Sequence, residues 1–395
     1  MNAMSLQGVR VLDLSRILAG PTATQLMGDL GADVIKVEKP GEGDDTRQWG
    51  PPYITAPDGS ATHESAYYLC ANRNKRSIEI DIASQEGQAL VLRLLARADV
   101  LVENYKVGGL AAYGLSYEQL REQFPRLVYC SITGFGQTGP YAHRAGYDFL
   151  IQGMGGIMSL TGEPNGEPMK VGVGIADVMT GMYAAVGILA ALRHRDQTGV
   201  GQQIDISLLD SQVAWLVNGG TNYLMSKKNP RRLGNGHPNI VPYQVFPTAD
   251  DSLIIAVGND AQFRRFCDCV GLVGFAEDPR YATNVARVAH REELCAEISV
   301  RLKARSRSVW IEQLEALGIP CGPVNSLEQV FNDPHVQARG TVVTMPHSAA
   351  ASGSVDLPAN PLKLSETPVT YRAPPPMLNQ HRSEILADWL GDTDS

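Results

Sequence analysis

A single carboxylate stands out in "VGVGIADVMTGMYAAVGILAALRHR", residues 171–195: Asp177, set between a glycine-spaced segment and a long apolar run. Val178, Met179, Met182, Val186, Leu189 and Ala190 recur at helical spacing, which predicts a core helix with Asp177 at its N-cap. Amides at a helix start, with the positive end of the helix dipole, keep a carboxylate ionised in an apolar setting. An ionised, poorly solvated carboxylate can attack an activated carbonyl. An ordinary cap satisfies the same pattern, so periodicity leaves both readings open.

Other chemical constellations are weaker. The loop "SRILAGP" suits a phosphate at a helix start, but it lacks G-x-G-x-x-G, and no G-x-x-x-x-G-K-[ST] occurs in the chain. Glu38 ends a strand where a ribose-binding acid would stand, yet the pattern argues against a dinucleotide enzyme. There is no G-x-S-x-G elbow, and the eight histidines show no H-E-x-x-H or other ligand spacing, so neither an α/β-hydrolase nor a metal centre is expected. His143 and His237 fall in loops. Lys36, Lys39 and Arg47 in "IKVEKPGEGDDTR" suit a solvated loop or an anion site equally well.

The elements that must hold Asp177 are legible around it. From residue 8, "GVRVLDL" is β-rich, "PTATQLMGDLG" runs from a Pro to a Gly as helices do, and "ADVIKVE" is β-branched again. This βαβ unit implies a parallel sheet. The alternation continues through "RSIEIDI", a helical "QEGQALVLRLLARA", the strand "DVLVENY", a short helix near 117–124 and "RLVYCSITGFG". The predicted class is α/β: a Rossmann-like, doubly wound large domain with ligands at its strand ends. Two apolar helices follow, over 147–158 and 178–195, and then a polar "SKKNPRRLGNGHPNIVP" that reads as a linker. "YQVFPTADDSLIIAVGND" predicts two short strands opening a smaller α+β domain. The expected division is 1–217 for the N-terminal part of the large domain, 218–242 for a linker and 243–320 for the small domain. Residues 321–395 are expected to form a second linker and a return to the large domain, because "GTVVTMPH" and "YRAPPPMLNQH" offer little core of their own.

Composition narrows the classes. With 34 basic and 42 acidic residues the formal charge is −8, and no basic run exceeds the Arg231-Arg232 pair near Lys227-Lys228, so no nucleic-acid partner is expected. The six cysteines show no CxxC spacing and read as reduced thiols, although Cys267 and Cys269 leave zinc as a minor alternative. The start "MNAMSLQGVRVLDLS" lacks the basic and apolar regions of a secretory signal. No membrane partner is expected, and the cytoplasm is the expected compartment.

The blocks "LDLSRILAGPTATQLMGDLGADVIKVEKPGEGDDTR", "NRNKRSIEID", "DVLVENY", "GYD", "GIADVMTGMYAAVGILAAL", "TGVGQQIDISLLD" and "GIPCGPVNS" together resemble the class III CoA-transferases (CaiB/BaiF type), in one order from about Gly8 to His381. "GDDTRQWGPPY" and "NGHPNIVPYQVF" are most similar to the branch that passes CoA between succinyl-CoA and glutarate. The resemblance implies that Asp177 is the nucleophile, working through an aspartyl anhydride and an aspartyl-CoA thioester. It implies CoA as substrate and product, small carboxylic acids as the other substrates, and no tightly bound cofactor. It places CoA against Leu18, Ala19, Lys39, Ile80, Asp81, Asn104, Tyr105 and Lys106, with Lys39 and Lys106 as phosphate partners. Asp148, in "GYD", matches an active-site acid of the family, either orienting a substrate or making a structural hydrogen bond. Arg47 and Arg144 are candidates for the distal carboxylate of a dicarboxylic acid, since guanidinium binds carboxylate in a bidentate fork. The family also implies an interlocked, ring-like homodimer.

Three departures argue against oxalate or formate as substrates: Ala112 in place of an arginine, Asn379 in place of a glycine, and Leu18 in place of a glutamine. Two alternatives share the fold. A 2-methylacyl-CoA racemase needs a histidine where this chain has Tyr147, a much poorer base at neutral pH. A non-catalytic CoA-binding protein would bind without exchange.

Overall fold

The computed structural model describes residues 4–392. Its centre is a six-stranded parallel sheet. In chain order the strands are β1 (Arg10–Asp13), β2 (Asp33–Glu38), β3 (Lys75–Glu79), β4 (Val100–Glu103), β5 (Val128–Thr133) and β6 (Gln203–Ser207). They lie side by side as β3-β2-β1-β4-β5-β6. The order reverses between β1 and β4, and there a doubly wound sheet opens a crevice beyond its strand ends. β4 and β5 are buried along their whole length, which is why "VLVE" and "VYCSIT" read as continuous runs with little alternation.

Helices cover both faces. On one, α1 (Ala19–Asp29) joins a later, 24-residue helix in a core containing Val11, Met27, Val102, Ile132 and Ile188. On the other, α2 (Gln85–Leu95) packs Val91 and Leu94 with Leu12, Ile78 and Leu101. The chain's last turns close this second core: Ile385 and Trp389 are buried in it, and Trp389 Nε1 donates to Asp33 (2.7 Å). The expected helix over 147–158 is shorter: α3 (Asp148–Met154) stops at Gly155, and Gly156 takes a positive φ. The long apolar helix, α4, spans Ile175–Thr198 and ends at Gly199 in a left-handed conformation. It is long and apolar enough to cross a bilayer, but it lies against α1 so closely that a β-carbon at Gly181 would sit 2.5 Å from the Ala19 carbonyl oxygen.

The chain divides into two compact units. The first holds this sheet and comprises residues through Ile157, Lys170–Met225 and residues from His335 on. The second comprises Met158–Met169 and Ser226–Pro334. In it β7 (Tyr243–Pro247) and β8 (Ser252–Ala256) form an antiparallel pair, and β9 (Cys321–Pro323) joins the far edge of β8. Phe246, Leu253, Phe263, Ile298 and Trp310 fill its core. β9 lies beyond the expected end at 320. A three-residue strand of Cys, Gly and Pro carries no alternation that would reveal it. The segment Met158–Met169, expected within the large domain, belongs to this unit as well.

Candidate active site

The crevice at the β1/β4 reversal is built from two loops. The loop after β1 carries Arg16, Ile17 and Leu18, and the loop after β4 carries Asn104, Tyr105 and Lys106. Both line a cavity of about 360 Å³ together with Ala19, Arg144, Tyr147 and Asp177. A second cavity of about 250 Å³ adjoins it, sharing Arg16, Tyr105 and Tyr113, and is lined by Lys39, Ile80 and Asp81. Eight of the residues singled out from sequence thus line the first cavity and six, Lys36, Glu38, Lys39, Ile80, Asp81 and Tyr105, the second, with Tyr105 in both. The lining brings the cations Arg16, Lys106 and Arg144 to the first cavity and Lys36 and Lys39 to the second, among the carboxylates of Asp177, Glu38, Asp44 and Asp81.

Asp177 does not cap α4. The helix begins at Ile175, and Asp177 is its third residue, in the first turn. The capping carboxylate is Asp148, whose Oδ1 accepts from the backbone N–H of Ala176 (2.8 Å) and, at longer range, of Asp177 (3.4 Å). Gln152, fully buried one turn along α3, donates to Asp148 Oδ2 (2.7 Å) and to the Val173 carbonyl, while its own oxygen accepts from Val171 N–H (2.8 Å). The "VGVG" segment and the start of α4 are therefore fixed by two side chains of α3. Asp148 stands behind Asp177 and does not line either cavity.

This arrangement reverses one electrostatic expectation. The helix-start amides serve Asp148, and among the described residues no hydrogen bond reaches the Asp177 carboxylate. Burial therefore prevails, with the like charge of Asp148 adding to it, and the Asp177 carboxyl is pushed up to about 7.

Arg47 is the clearest correction. It is 2% exposed. Its Nε and Nη2 donate to Glu38 (2.8 and 2.7 Å), Nη1 donates to Glu64, Nη2 also reaches Tyr68 and the Pro376 carbonyl, and the guanidinium lies 3.8 Å from the Tyr68 ring centre. A short 3-10 turn, Asp45–Gln48, carries it inward, and no donor is left for a substrate. Arg144, by contrast, is exposed at the cavity, leaning on Tyr141 and Phe135.

Other predicted residues divide by what they touch. Asn104 holds the backbone of Arg16 with both side-chain atoms (2.9 and 2.8 Å). Lys106 is exposed at the first cavity, and Lys39 at the second forms a solvent-facing pair with Glu42. Sequence reasoning missed Arg16, whose guanidinium lies over the Tyr105 ring and borders both cavities. It also missed Tyr67, whose phenol burial and the charge of Asp177 push up to about 12. Tyr67 stands in "ESAYYLC", on a four-residue helix with no motif to mark it. Among the described residues no three His, Cys, Asp or Glu side chains gather as metal ligands do.

The chain belongs to CoA-transferase family III, whose model matches residues 6–382, and it is a CoA-transferase. It is 53% identical over 385 residues to the succinate–glutarate CoA-transferase of Agrobacterium fabrum, covering 97% of this chain and 95% of that one. It is 43% identical over 389 residues to the succinyl-CoA:glutarate CoA-transferase of Homo sapiens, covering 98% and 87%. The crystal structure of a CAIB/BAIF family protein from Brucella suis superposes with a TM-score of 0.86 at 48% identity, covering 98% of this chain and all of that one.

Proposed function

We propose that the protein moves CoA from succinyl-CoA to glutarate or a closely related dicarboxylate, with Asp177 as the nucleophile. The observation that carries this reading is the placement of the Asp177 carboxylate on the wall of the first cavity, free of hydrogen bonds within the described chain and opposite the two loops of the strand-order reversal. Its carboxylate attacks the succinyl thioester carbonyl; the C–S bond breaks, leaving a succinyl-aspartyl anhydride and CoA thiolate. The thiolate attacks the aspartyl carbonyl, the anhydride C–O bond breaks, and succinate leaves behind an aspartyl-CoA thioester. The acceptor carboxylate then attacks that thioester, releasing the thiolate, which takes the acceptor's acyl group and returns Asp177 to its carboxylate form. Each step exchanges one activated carbonyl for another, so water must be kept from the intermediates.

CoA occupies the paired cavities along Leu18, Ala19, Ile80, Asp81 and Tyr105, with Lys39, Lys106 and Arg16 near its phosphates. Asn104 shapes the wall and Asp148 positions the α4 start. Arg144 takes the distal carboxylate of the acceptor beside Tyr147. The working form is the interlocked homodimer that the family resemblance implies. The six unpaired cysteines fit a reducing compartment such as the cytoplasm.

The test incubates the enzyme with succinyl-CoA and a panel of free acids and detects new CoA esters by mass. Asp177→Ala should lower exchange by about 1,000-fold or more, as removal of a nucleophile does. Arg144→Ala should raise KM for glutarate by roughly tenfold, the loss of one charged contact, while a monocarboxylate of similar length is unaffected. Hydrolysis without exchange in the wild-type enzyme would contradict the reading.

A further inference from the structure

The loop after β1 holds its shape against its own backbone preference. Ile17 has φ 72, a left-handed conformation that a β-branched residue adopts only when its surroundings impose it. Three consecutive residues are gripped by side chains from different strand ends. Asp13 accepts from Ser15 N–H (2.9 Å), and Lys36 Nζ donates to the Ser15 carbonyl (3.0 Å). Asn104 takes both backbone groups of Arg16. The Ile17 N–H is shared between the two carboxylate oxygens of Asp44 (3.2 Å each), and Asp44 in turn accepts from Lys36 Nζ (2.7 Å).

The Lys36 and Asp44 side chains are both fully buried. A buried ion pair is a poor device for stability alone, because desolvation offsets the attraction. Its geometry here serves the loop after β1 through Ile17 and Ser15, while Asp44 Oδ1 also accepts from Thr46 N–H (2.9 Å) and Oγ1 (2.7 Å) at the start of the turn that carries Arg47. Leu18, the residue after Ile17, is wedged against the start of α4: a β-carbon at Gly174 would lie 3.1 Å from Leu18 Cδ2. Were Ile17 to relax, the cavity wall facing Asp177 would move with Leu18.

We propose that Asp44 is a positioning residue of the transfer reaction: paired with Lys36, it holds Ile17 in its left-handed backbone and so sets Leu18 and the start of α1 against Asp177. The inference rests on the assignment of Asp177 as nucleophile. Asp44→Asn keeps the side chain's shape and removes the charge that pins both Lys36 and Ile17. Succinyl-CoA:glutarate exchange should then lose about tenfold or more in kcat, as misplacement of a reacting pair does, with KM for glutarate little changed. Adding Ile17→Gly, for which the left-handed conformation carries no steric penalty, should recover about threefold or more of that loss. A purely structural Asp44 would show a lower Tm that Ile17→Gly does not repair together with kcat.

Because an unpartnered buried lysine can prevent folding, Lys36→Met/Asp44→Asn, with and without Ile17→Gly, is measured alongside. Wild-type kcat in a folded Asp44 variant, or no recovery on adding Ile17→Gly, overturns the proposal. Asp177→Ala is assayed in parallel. If it keeps exchange, the nucleophile assignment fails and the proposal with it; if it is inactive while the Asp44 variants are normal, only the clamp fails.

Discussion

An ionised Asp177 sits where its surroundings disfavour charge, and this has consequences for rate and for stability. The attacking form is the carboxylate, so kcat/KM should fall on the acid side with an apparent pKa near 7, the value to which burial and Asp148 push it. In the unfolded chain the same group titrates near 3.8. Between these values the folded state binds the extra proton, so stability declines as pH rises from 4 to 7, and the full penalty is present above 7. Asp177→Asn has no such penalty. The variant should be inactive yet more stable than wild type at pH 8, by roughly 1–3 kcal/mol once partial exposure is allowed for, and the difference should shrink as pH falls towards 4. Thermal melts of both proteins across that range check it. A constant difference would mean that Asp177 titrates as an ordinary surface carboxylate.

At the scale of the element, the start of α4 combines a cap and a charge in Asp148, and two substitutions separate them. Asn still accepts from Ala176 N–H, but it removes the negative charge and puts an amide nitrogen where Asp148 accepts from the buried Gln152, so Asp148→Asn should move the acid limb of the pH–rate profile to lower pH with a Tm loss confined to that one contact. Asp148→Ala should move the limb the same way and also lower stability by about 1 kcal/mol, the usual cost of a lost cap. A limb that stays in place in both variants would remove Asp148 from the electrostatics of the site. The helix itself was readable from sequence as a long apolar run, but its core face was not: Met182, Val186, Leu189 and Ala190, expected to be buried, are exposed, and Ala184, Ala185, Ile188 and Leu192 pack inward instead. Its true cap was hidden as well, because Asp148 comes from another helix 29 residues away. The βαβ alternation was readable and it led to the loop after β1, whereas Asn104, Tyr105 and Lys106 after β4 were marked by the family resemblance. Arg47 shows the opposite case. Its sequence neighbourhood resembles that of a surface loop, and it is the folding of the chain from Glu38 to Tyr68, closed by Pro376 from the chain's return, that surrounds it. The left-handed Ile17 was equally hidden, since nothing about an isoleucine announces that conformation.

For the whole molecule, the surface of α4 points to a second chain. A helix apolar on all sides is expected to be buried on all sides. One side of α4 meets α1 and the sheet, but on the other Met182 is 47% exposed and Val186 61%, with Tyr183 and Leu189 beside them, and Val213 and Trp215 are likewise open. A single chain seldom leaves so many large apolar groups in water. The proposed homodimer would cover them and, through α4, would link assembly to the stretch that carries Asp177. At micromolar concentration the protein should sediment as a dimer. Val186→Glu with Leu189→Glu places two charges on the covered face, and should shift it to monomer and reduce exchange in parallel, because the α4 surface then loses its partner. A monomeric wild type, or a monomeric variant with full exchange, would separate the apolar face from catalysis and leave α4 as a support for its own subunit alone.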